Sequence, residues 1–600
     1  MKPTDTNNPD YFHKVVDCQW ACPAHTDVPL YIRMIAQGRF GDAYIENRKS
    51  NVFPGILGRV CDRPCEPACR RGRVEDRPVA ICRLKRVAAD HRDDISDRLP
   101  KATESNGKKV ALIGAGCASL TVANDLAPLG YEVTIFEALK TTGGLMRTNI
   151  PQFRLPPKVL DEEIGYILDI GVDLKLDHPI DSMKELLDEG YDAVFVGTGA
   201  PRGKNLEIPG RYDSENIHIG IDWLESVAFD HIETIGKRVL IIGVGNTAMD
   251  CCRTSMRIGA EDVKVMARKP REFFKASAWE LEDAEEEQVE ILVNHSPKDF
   301  VIEDGKLVGM TFEIMEYEID DDGGIDRGTV VGEEVIPCDD VILAIGQDNA
   351  FPWIERDIGI EFNDWECPIV SEDTMMCSRD GVFFGGDAAF GPKNIIWAVA
   401  HGHEAAISIH KHIQGDSLTD RLPRGVNLSS QKMGVHEWSF SNDFDPTGRR
   451  LMPHVDLKER FKKLDIEVEL GFTVEQVTQE VERCLNCDIQ TVFTEKLCIE
   501  CDACIDICPV NCLTITRNGE EADLRTRLSA PADNVEQALY VSGDLPQTAR
   551  VMVKDEDLCV HCSLCAERCP TGAWDMQKSI VLIPQVADEV ADDQAQTSAA

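Results

Sequence analysis

The rhythm of apolar and polar positions changes four times along this chain. Up to about residue 100, short helical stretches alternate with cysteine-bearing loops; Asp27 stands as the N-cap of VPLYIRMIAQG. From Lys108 to about Gly415, short apolar runs such as KVALIG, EVTIFE and RVLIIG alternate with segments of helical period. That alternation predicts parallel, doubly wound sheets. A polar connector, SSQKMGVHEWSFSNDFDPTG, follows, and an amphipathic stretch runs from near Thr473 to Cys484. The final region is short-stranded and cysteine-rich, and the acidic, Ala/Gln-rich tail after Val586 reads as disordered.

Cysteine spacing brings the first chemistry. The run C-x2-C-x2-C-x3-C-P occurs twice, as Cys498, Cys501, Cys504 and Cys508, and as Cys559, Cys562, Cys565 and Cys569. This spacing wraps cubane 4Fe-4S clusters, the fourth cysteine of each run reaching across to the other cluster. Two clusters are therefore expected in a ferredoxin-like domain, which moves single electrons. The stretch between Cys508 and Cys559 is longer than a compact ferredoxin needs and reads as a surface insertion, with partner docking as the second reading.

Two glycine turns follow apolar strands in the middle of the chain. KVALIGAG leads into Gly114, Gly116 and Ser119, then a helix, then a strand ending at Glu137. Such glycines permit a tight turn and close backbone approach to a pyrophosphate at the helix N-terminus, and the acid binds ribose hydroxyls. Ser119 stands where the third glycine of the fingerprint would be. The second turn has Gly243 and Gly245 before Asn246 and Thr247, and its following strand ends in Arg268 and Lys269. Cations at the ribose position favour a 2′-phosphate, hence NADP over NAD.

Composition sets the compartment and excludes some partners. Six hundred residues that are 43% hydrophobic imply several buried cores, and 23 cysteines, most of them at ligand spacing, point to a reducing environment. MKPTDTNNPDYFHK has no apolar signal region and no apolar run approaches membrane-spanning length, so a cytoplasmic protein without membrane contact is expected. A formal charge of -42 argues against nucleic acid; the acidity reads equally as a solvated surface or a docking face for a basic partner.

A nucleotide site followed by a second is the plan of a flavoprotein that binds FAD first and a pyridine nucleotide second. Further pieces are Gly143, Gly144 and Leu145, the IPQFRLP stretch with Arg154, and the GGDAAFGPKN segment with Gly386 and Asp387. Together they resemble the glutamate synthase small-subunit family and the matching region of dihydropyrimidine dehydrogenase, over roughly residues 15 to 410. The resemblance implies that Gly144, Leu145 and Arg154 belong to the FAD site, with Asp387 on the ribityl chain. It also implies that NADPH reduces FAD and that clusters carry the electrons onward. Disulfide reductases share the two nucleotides but need a cysteine pair at the flavin, and GGLMRTN has none. Cys251 and Cys252 are adjacent on one helix and are expected to pack.

The remaining cysteines pose the open question. Cys18, Cys22, Cys61, Cys65, Cys69 and Cys82 resemble the helical iron-sulfur domain of the same family, but the C-x2-C pair expected upstream is missing. The family's wording reappears in ERCLNC, at Cys484 and Cys487. By resemblance, a fold-back of this pair would complete one site from Cys484, Cys487, Cys18 and Cys69 and a second from Cys22, Cys61, Cys65 and Cys82. The alternative is one N-terminal cluster, so one or two are expected there, and the Cys82 role could fall on Lys85. Cys117, Cys338, Cys367, Cys377 and Cys512 have no ligand-spaced partners and are assigned to packing, as are His401 and His403.

The expected fold is multidomain α/β: an N-terminal α-helical iron-sulfur domain (1–100), two nested Rossmann-like nucleotide-binding domains (FAD 105–225 and 341–415, NADP 226–340), a connector (416–483) and a C-terminal ferredoxin-like α+β domain (484–586) before a tail (587–600). The expected function is an FAD and iron-sulfur NADPH oxidoreductase with no side-chain acid or base in catalysis. It would serve a separate catalytic subunit, either a glutamate synthase large subunit or a 2-oxoacid:ferredoxin oxidoreductase, or a ferredoxin-type redox partner, within a hetero-oligomer. A non-enzymatic electron wire or redox scaffold with an inactive nucleotide site is the alternative.

Overall fold

Short helices suffice for the N-terminal cysteines because burial holds them. The computed structural model describes residues 1–12, 16–320, 322–430, 447–531 and 534–599. Helices α1 (Asp17–Ala21), α2 (Val28–Ala36), α3 (Phe40–Asn51), α4 (Pro54–Val60) and α5 (Ile81–Asp90) build the first segment. Asp27 caps α2 by accepting the Leu30 N–H at 3.1 Å, and Pro29 occupies the first turn, where its missing N–H costs nothing. Tyr31, Tyr44, Phe53, Ile56, Leu57 and Leu84 form the interior of this bundle.

Contact density divides the chain into two units, Met1–Leu99 with Asp420–Met452 and Gly471–Ala600, and Pro100–Thr419 with Pro453–Leu470. The second unit holds both nucleotide sheets. Its first sheet contains β1 (Lys109–Ile113), β2 (Glu132–Phe136), β3 (Asp173–Lys175) and β4 (Ala193–Val196), with α6 (Cys117–Leu126) crossing between β1 and β2. Its second contains β5 (Ile217–Ile219), β6 (Arg238–Ile242), β7 (Asp262–Met266) and β8 (Glu290–Leu292), with α7 (Asn246–Arg257) after β6. An antiparallel sheet follows from β9 (His295–Glu303), β10 (Lys306–Ile319) and β11 (Ile325–Pro337). Then β12 (Asp340–Leu343) returns to the second sheet and β13 (Val382–Phe384) to the first, before the long helix α8 (Ile395–Gln414).

The orders are β13-β4-β1-β2-β3 and β5-β12-β6-β7-β8, all parallel. Strands covered by helices on both faces read as unbroken apolar runs, and β1, β4 and β6 are buried at nearly every position. The domain boundary expected at 225/226 lies earlier: β5 is the edge strand of the second sheet, and the following Trp223, Leu224 and Val227 pack into that sheet's core.

The first unit resumes after residue 420. Strand β14 (Gly425–Ser430), helix α9 (Val474–Val481), β15 (Ile489–Phe493), α10 (Ala503–Ile507), β16 (Leu513–Thr516), α11 (Glu521–Arg525), β17 (Tyr540–Val541), β18 (Val551–Lys554), α12 (Leu564–Arg568), β19 (Trp574–Leu582) and α13 (Val586–Ala599) follow in order. They form two antiparallel sheets, β14-β19-β15 and β16-β18-β17. Three expectations change. The stretch expected as a connector supplies the strand β14, the helix α9 with a Thr473/Gln476 capping box, and the short helix Leu457–Arg460, while most of SSQKMGVHEWSFSNDFDPTG lies outside the described residues. The tail expected to be disordered is helical as α13: Val586 is buried, and buried Glu589 accepts the Leu422 N–H at 2.8 Å. The insertion between Cys508 and Cys559 carries α11, and its Leu524 and Leu539 pack with Val541, Val551 and Val553.

Candidate nucleotide and iron-sulfur sites

At the first glycine turn, backbone rather than side chain fills the space. Gly114 has φ +91, and a Cβ there would stand 2.9 Å from the Gly197 carbonyl oxygen. Ser119, the departure from the fingerprint, is explained by the neighbouring strand end: a Cβ on Gly197 would lie 2.3 Å from Ser119 Oγ, so the glycine has moved to the opposite wall. Glu137 ends β2 and its carboxylate accepts the N–H groups of Ala115 at 2.7 Å and Leu139 at 2.9 Å, which fixes it beside the turn. Gly144 begins the Leu145–Thr148 turn with φ +52, and a Cβ on it would be 3.2 Å from Gly116 Cα.

The Gly386-Asp387 segment returns to the same place. A Cβ on Gly386 would touch Ala118 and Ala398, each at 3.3 Å, and Asp387 lies within electrostatic reach of Cys117 at the start of α6. Burial raises the Asp387 pKa against the N–H of Lys393, which it accepts at 2.9 Å. Nδ1 of buried His401 accepts the Gly386 N–H at 3.2 Å; burial lowers the His401 pKa to about 4, so the ring is neutral and its Nδ1 is free of a proton at neutral pH. Gly114, Gly116, Glu137, Gly144, Leu145, Gly386 and Asp387 thus converge on the N-terminus of α6, a backbone-walled cradle that fits a dinucleotide. Arg154 is the exception. It donates to Asp250 Oδ1 at 2.6 Å and to Glu280, so its guanidinium is held by two buried carboxylates. Burial pushes the Asp250 pKa up to about 6 despite Arg154.

The second turn repeats the logic. Gly243 has φ +119, and a Cβ there would be 2.2 Å from the Ala344 carbonyl oxygen of the strand β12 end. Gly245 is different, with open space around its Cβ position. Asn246 uses its side-chain oxygen to accept the Ser277 N–H at 2.9 Å, and Thr247 is half-buried beside it. Arg268 and Lys269 are exposed just past the end of β7. Cys251 and Cys252 are fully buried in the core of this sheet, as packing requires.

The ferredoxin-like domain contains a pair of hollows lined by thiols. One is bounded by Cys498, Cys501, Cys504 and Cys569, with Phe493, Ile515 and Trp574. The other is bounded by Cys508, Cys559, Cys562 and Cys565, with Cys512, Lys554 and His561. Each hollow takes three cysteines from one run and the fourth from the other. Cys512 Sγ is 3.5 Å from Cys508 Sγ, and this contact pulls the Cys508 thiol down to about 6. Against burial, Lys554 and His561 hold the Glu556 carboxyl well below its usual range.

Among the N-terminal helices the structure brings together thiols far apart in the chain. Cys18 lies within electrostatic reach of Cys69, Cys487 and Cys484. Cys61 and Cys65 both hydrogen-bond to Cys82, and Lys85 lies within reach of Cys82, Cys61, Cys22 and Cys65. The return of Cys484 and Cys487 is secured by charged groups that no spacing motif marked. Glu480 on α9 is fully buried and accepts the N–H groups of Ala80 and Arg450, each at 2.7 Å; burial raises its pKa to about 7. Arg483 donates to the carbonyls of Pro78 and Arg77 at 3.0 and 2.6 Å. Arg33 of α2 grips Asp488 with both terminal nitrogens, at 2.7 and 2.6 Å, out of water. Removing one partner of such a buried pair costs about 3–5 kcal/mol. Thiols gathered in fours, two sets lining the hollows, one set around Cys18 and one around Lys85, form donor sets that suit iron-sulfur clusters.

Three known families match successive parts of the chain. Residues 108–402 match the pyridine nucleotide-disulphide oxidoreductase family, residues 13–96 match dihydropyrimidine dehydrogenase domain II with its 4Fe-4S cluster, and residues 497–573 match the 4Fe-4S dicluster domain. The NADP(+)-dependent formate dehydrogenase subunit beta of Moorella thermoacetica is 36% identical over 78% of this chain and 70% of its own. The NADPH-Fe(3+) oxidoreductase subunit beta of Geobacter sulfurreducens is 33% identical over 81% of this chain and 77% of its own. The glutamate synthase [NADPH] small chain of Azospirillum brasilense is 30% identical over 66% of this chain and 86% of its own.

Proposed function

Because the chain belongs to the glutamate synthase small-subunit-like family of FAD- and NAD(P)-dependent oxidoreductases, with a dicluster ferredoxin domain fused to it, we propose that it exchanges electrons between NADP(H) and a separate catalytic subunit. It is an NADPH-dependent flavin and iron-sulfur enzyme, and its cofactors are FAD, NADP(H) and 4Fe-4S clusters. Among its described residues no helix is long and apolar enough to cross a membrane.

The observation that carries the reading is the pairing of two glycine turns in one unit with sixteen thiols gathered four by four in the other. FAD, when bound, supplies the conversion between the hydride of NADPH and single electrons. The chain's residues position and insulate. Gly114, Gly116 and Gly144 leave room for backbone N–H groups to meet a pyrophosphate, Glu137 receives ribose hydroxyls, and Asp387 faces the ribityl chain. Gly243 and Gly245, with Asn246 and Thr247, form the corresponding turn for NADPH, with Arg268 and Lys269 meeting its 2′-phosphate. Arg154 acts at one remove, by tying the IPQFRLP segment to Asp250 and Glu280. Cys18, Cys69, Cys484 and Cys487 hold one cluster and Cys22, Cys61, Cys65 and Cys82 another. Cys498, Cys501, Cys504 and Cys569 hold a third, and Cys508, Cys559, Cys562 and Cys565 a fourth.

The catalytic partner in this reading is a metal-containing oxidoreductase subunit that trades single electrons with the ferredoxin domain. Two relatives that span 78–81% of this chain are named beta subunits of a formate dehydrogenase and an iron(III) reductase, whereas the Azospirillum glutamate synthase small chain spans 66%. Of the two partners expected from sequence, the fit is therefore closer to one with a ferredoxin-type port, such as a 2-oxoacid:ferredoxin oxidoreductase, than to a glutamate synthase large subunit. The test is anaerobic purification with iron analysis and NADPH titration. About sixteen Fe per chain is expected, falling by about four in Cys484→Ser, with the flavin still bleached by NADPH. About twelve Fe in the wild type, or a flavin that NADPH never bleaches, overturns the reading.

A further inference from the structure

Arg70 follows the thiol Cys69 and is 2% exposed, yet its guanidinium is not spent on its own domain segment alone. One nitrogen donates to the carbonyl oxygen of Cys559 at 2.8 Å and to that of Glu556; the other pairs with Asp17, the neighbour of Cys18, at 3.0 Å. Its charge lies within reach of both Cys487 and Cys559. Arg73 repeats the span, pairing with Asp17 at 3.2 Å and with Asp557 at 2.6 Å. Tyr11 adds a hydrogen bond to the Glu556 carboxylate. Three separate ligand loops, those of Cys18, Cys69 and Cys559, therefore meet on one planar cation.

We propose that Arg70 is the junction of the electron path, the positioning residue that sets the spacing and raises the potentials of the two sites it separates. Those sites are Cys18, Cys69, Cys484 and Cys487 in the helical domain and Cys508, Cys559, Cys562 and Cys565 in the ferredoxin domain. The inference rests on the ligand assignment above. A guanidinium favours the more negative, reduced state of any cluster near it, so a shared cation eases arrival on both sides. Each crossing moves one electron, oxidising one cluster by one and reducing its neighbour by one; oxidation of one NADPH to NADP+ and a proton supplies two. The site with Cys498, Cys501, Cys504 and Cys569, where Cys501 is exposed, then forms the outer port.

The test uses the full holoprotein and the variants Arg70→Gln and Arg70→Lys. In Arg70→Gln, iron content and flavin bleaching stay at wild-type level. EPR-monitored redox titration shows lower midpoints for two clusters, and NADPH-driven reduction of the ferredoxin clusters slows by about tenfold or more, a barrier increase of about 1.4 kcal/mol. Arg70→Lys restores the midpoints, which follow charge, but not the rate, which follows the two-sided fork. Full iron with unchanged midpoints and rate overturns the junction and leaves the ligand assignment standing; wild-type iron near twelve per chain overturns the assignment itself. If Arg70→Gln loads less iron, Cys487→Ser decides. Losing the helical site must remove magnetic splitting from the signal of the reduced ferredoxin clusters, and an unchanged signal overturns the proposal.

Discussion

Two glycines two residues apart make opposite predictions. At Gly243 an alanine meets a backbone oxygen at 2.2 Å in a left-handed conformation with φ +119, so both strain and overlap oppose it. Together these cost about 2–6 kcal/mol, borne by the second nucleotide sheet whether or not NADPH is present. At Gly245 the backbone is extended, with φ -100 and ψ 176, and nothing lies within 4 Å of the new Cβ. The fold should lose about 1 kcal/mol or less there, the small penalty of alanine as an N-cap. That empty space is where a pyrophosphate must come to reach the first N–H groups of α7, so the methyl displaces the nucleotide instead of the protein. Scanning calorimetry and NADPH-dependent bleaching of the flavin, run on both variants, separate the effects. Gly243→Ala should melt earlier; Gly245→Ala should melt like the wild type and raise the NADPH KM about tenfold or more, a loss of about 1.4 kcal/mol. A Gly245→Ala protein with wild-type KM and stability would refute the assignment of this turn to NADPH.

His401 carries a pH dependence of definite sign. Its pKa falls from 6.5 to about 4 on folding, so the unfolded chain binds more protons between those values; the stability it contributes is present above pH 6.5 and is lost as pH falls toward 4. The full effect is roughly 3 kcal/mol, and His401→Gln should flatten the denaturation profile over that window; an equal slope in both proteins would show that the ring does not stay neutral. Cys512 touches Cys508 but belongs to neither thiol set, so Cys512→Ala should keep about sixteen Fe where Cys508→Ser loses about four. Loss of iron from Cys512→Ala would make it a ligand.

The features legible in the sequence were those whose chemistry is local. Parallel strands announced themselves as Val- and Ile-rich runs before glycine turns, and the paired thiol runs of the ferredoxin domain carried their own spacing. Ser119 departs from the glycine fingerprint without a visible reason in the sequence, because the residue that makes room for it, Gly197, lies past the end of another strand. The 225/226 boundary was misplaced because β5 is three residues long, too short for any periodicity to assign it to a sheet. The helix after Val586 was hidden by composition, its start fixed by a buried contact from Glu589 to residue 422. Arg33, Arg70, Glu480, Arg483 and Asp488 carry no sequence signature for the reason that they matter: buried charges are identified by their partners, and each of these has a partner hundreds of residues away.

The return of Cys484 and Cys487 to Cys18 and Cys69 also has a consequence in time. A ribosome finishes Cys69 early and reaches Cys484 only about four-fifths of the way along the chain. At about 5–20 residues per second, the half-built nest waits roughly twenty seconds to more than a minute for its other two sulfurs, while the nucleotide sheets between them emerge and fold. The helical iron-sulfur domain is thus begun before the nucleotide-binding sheets and finished after them.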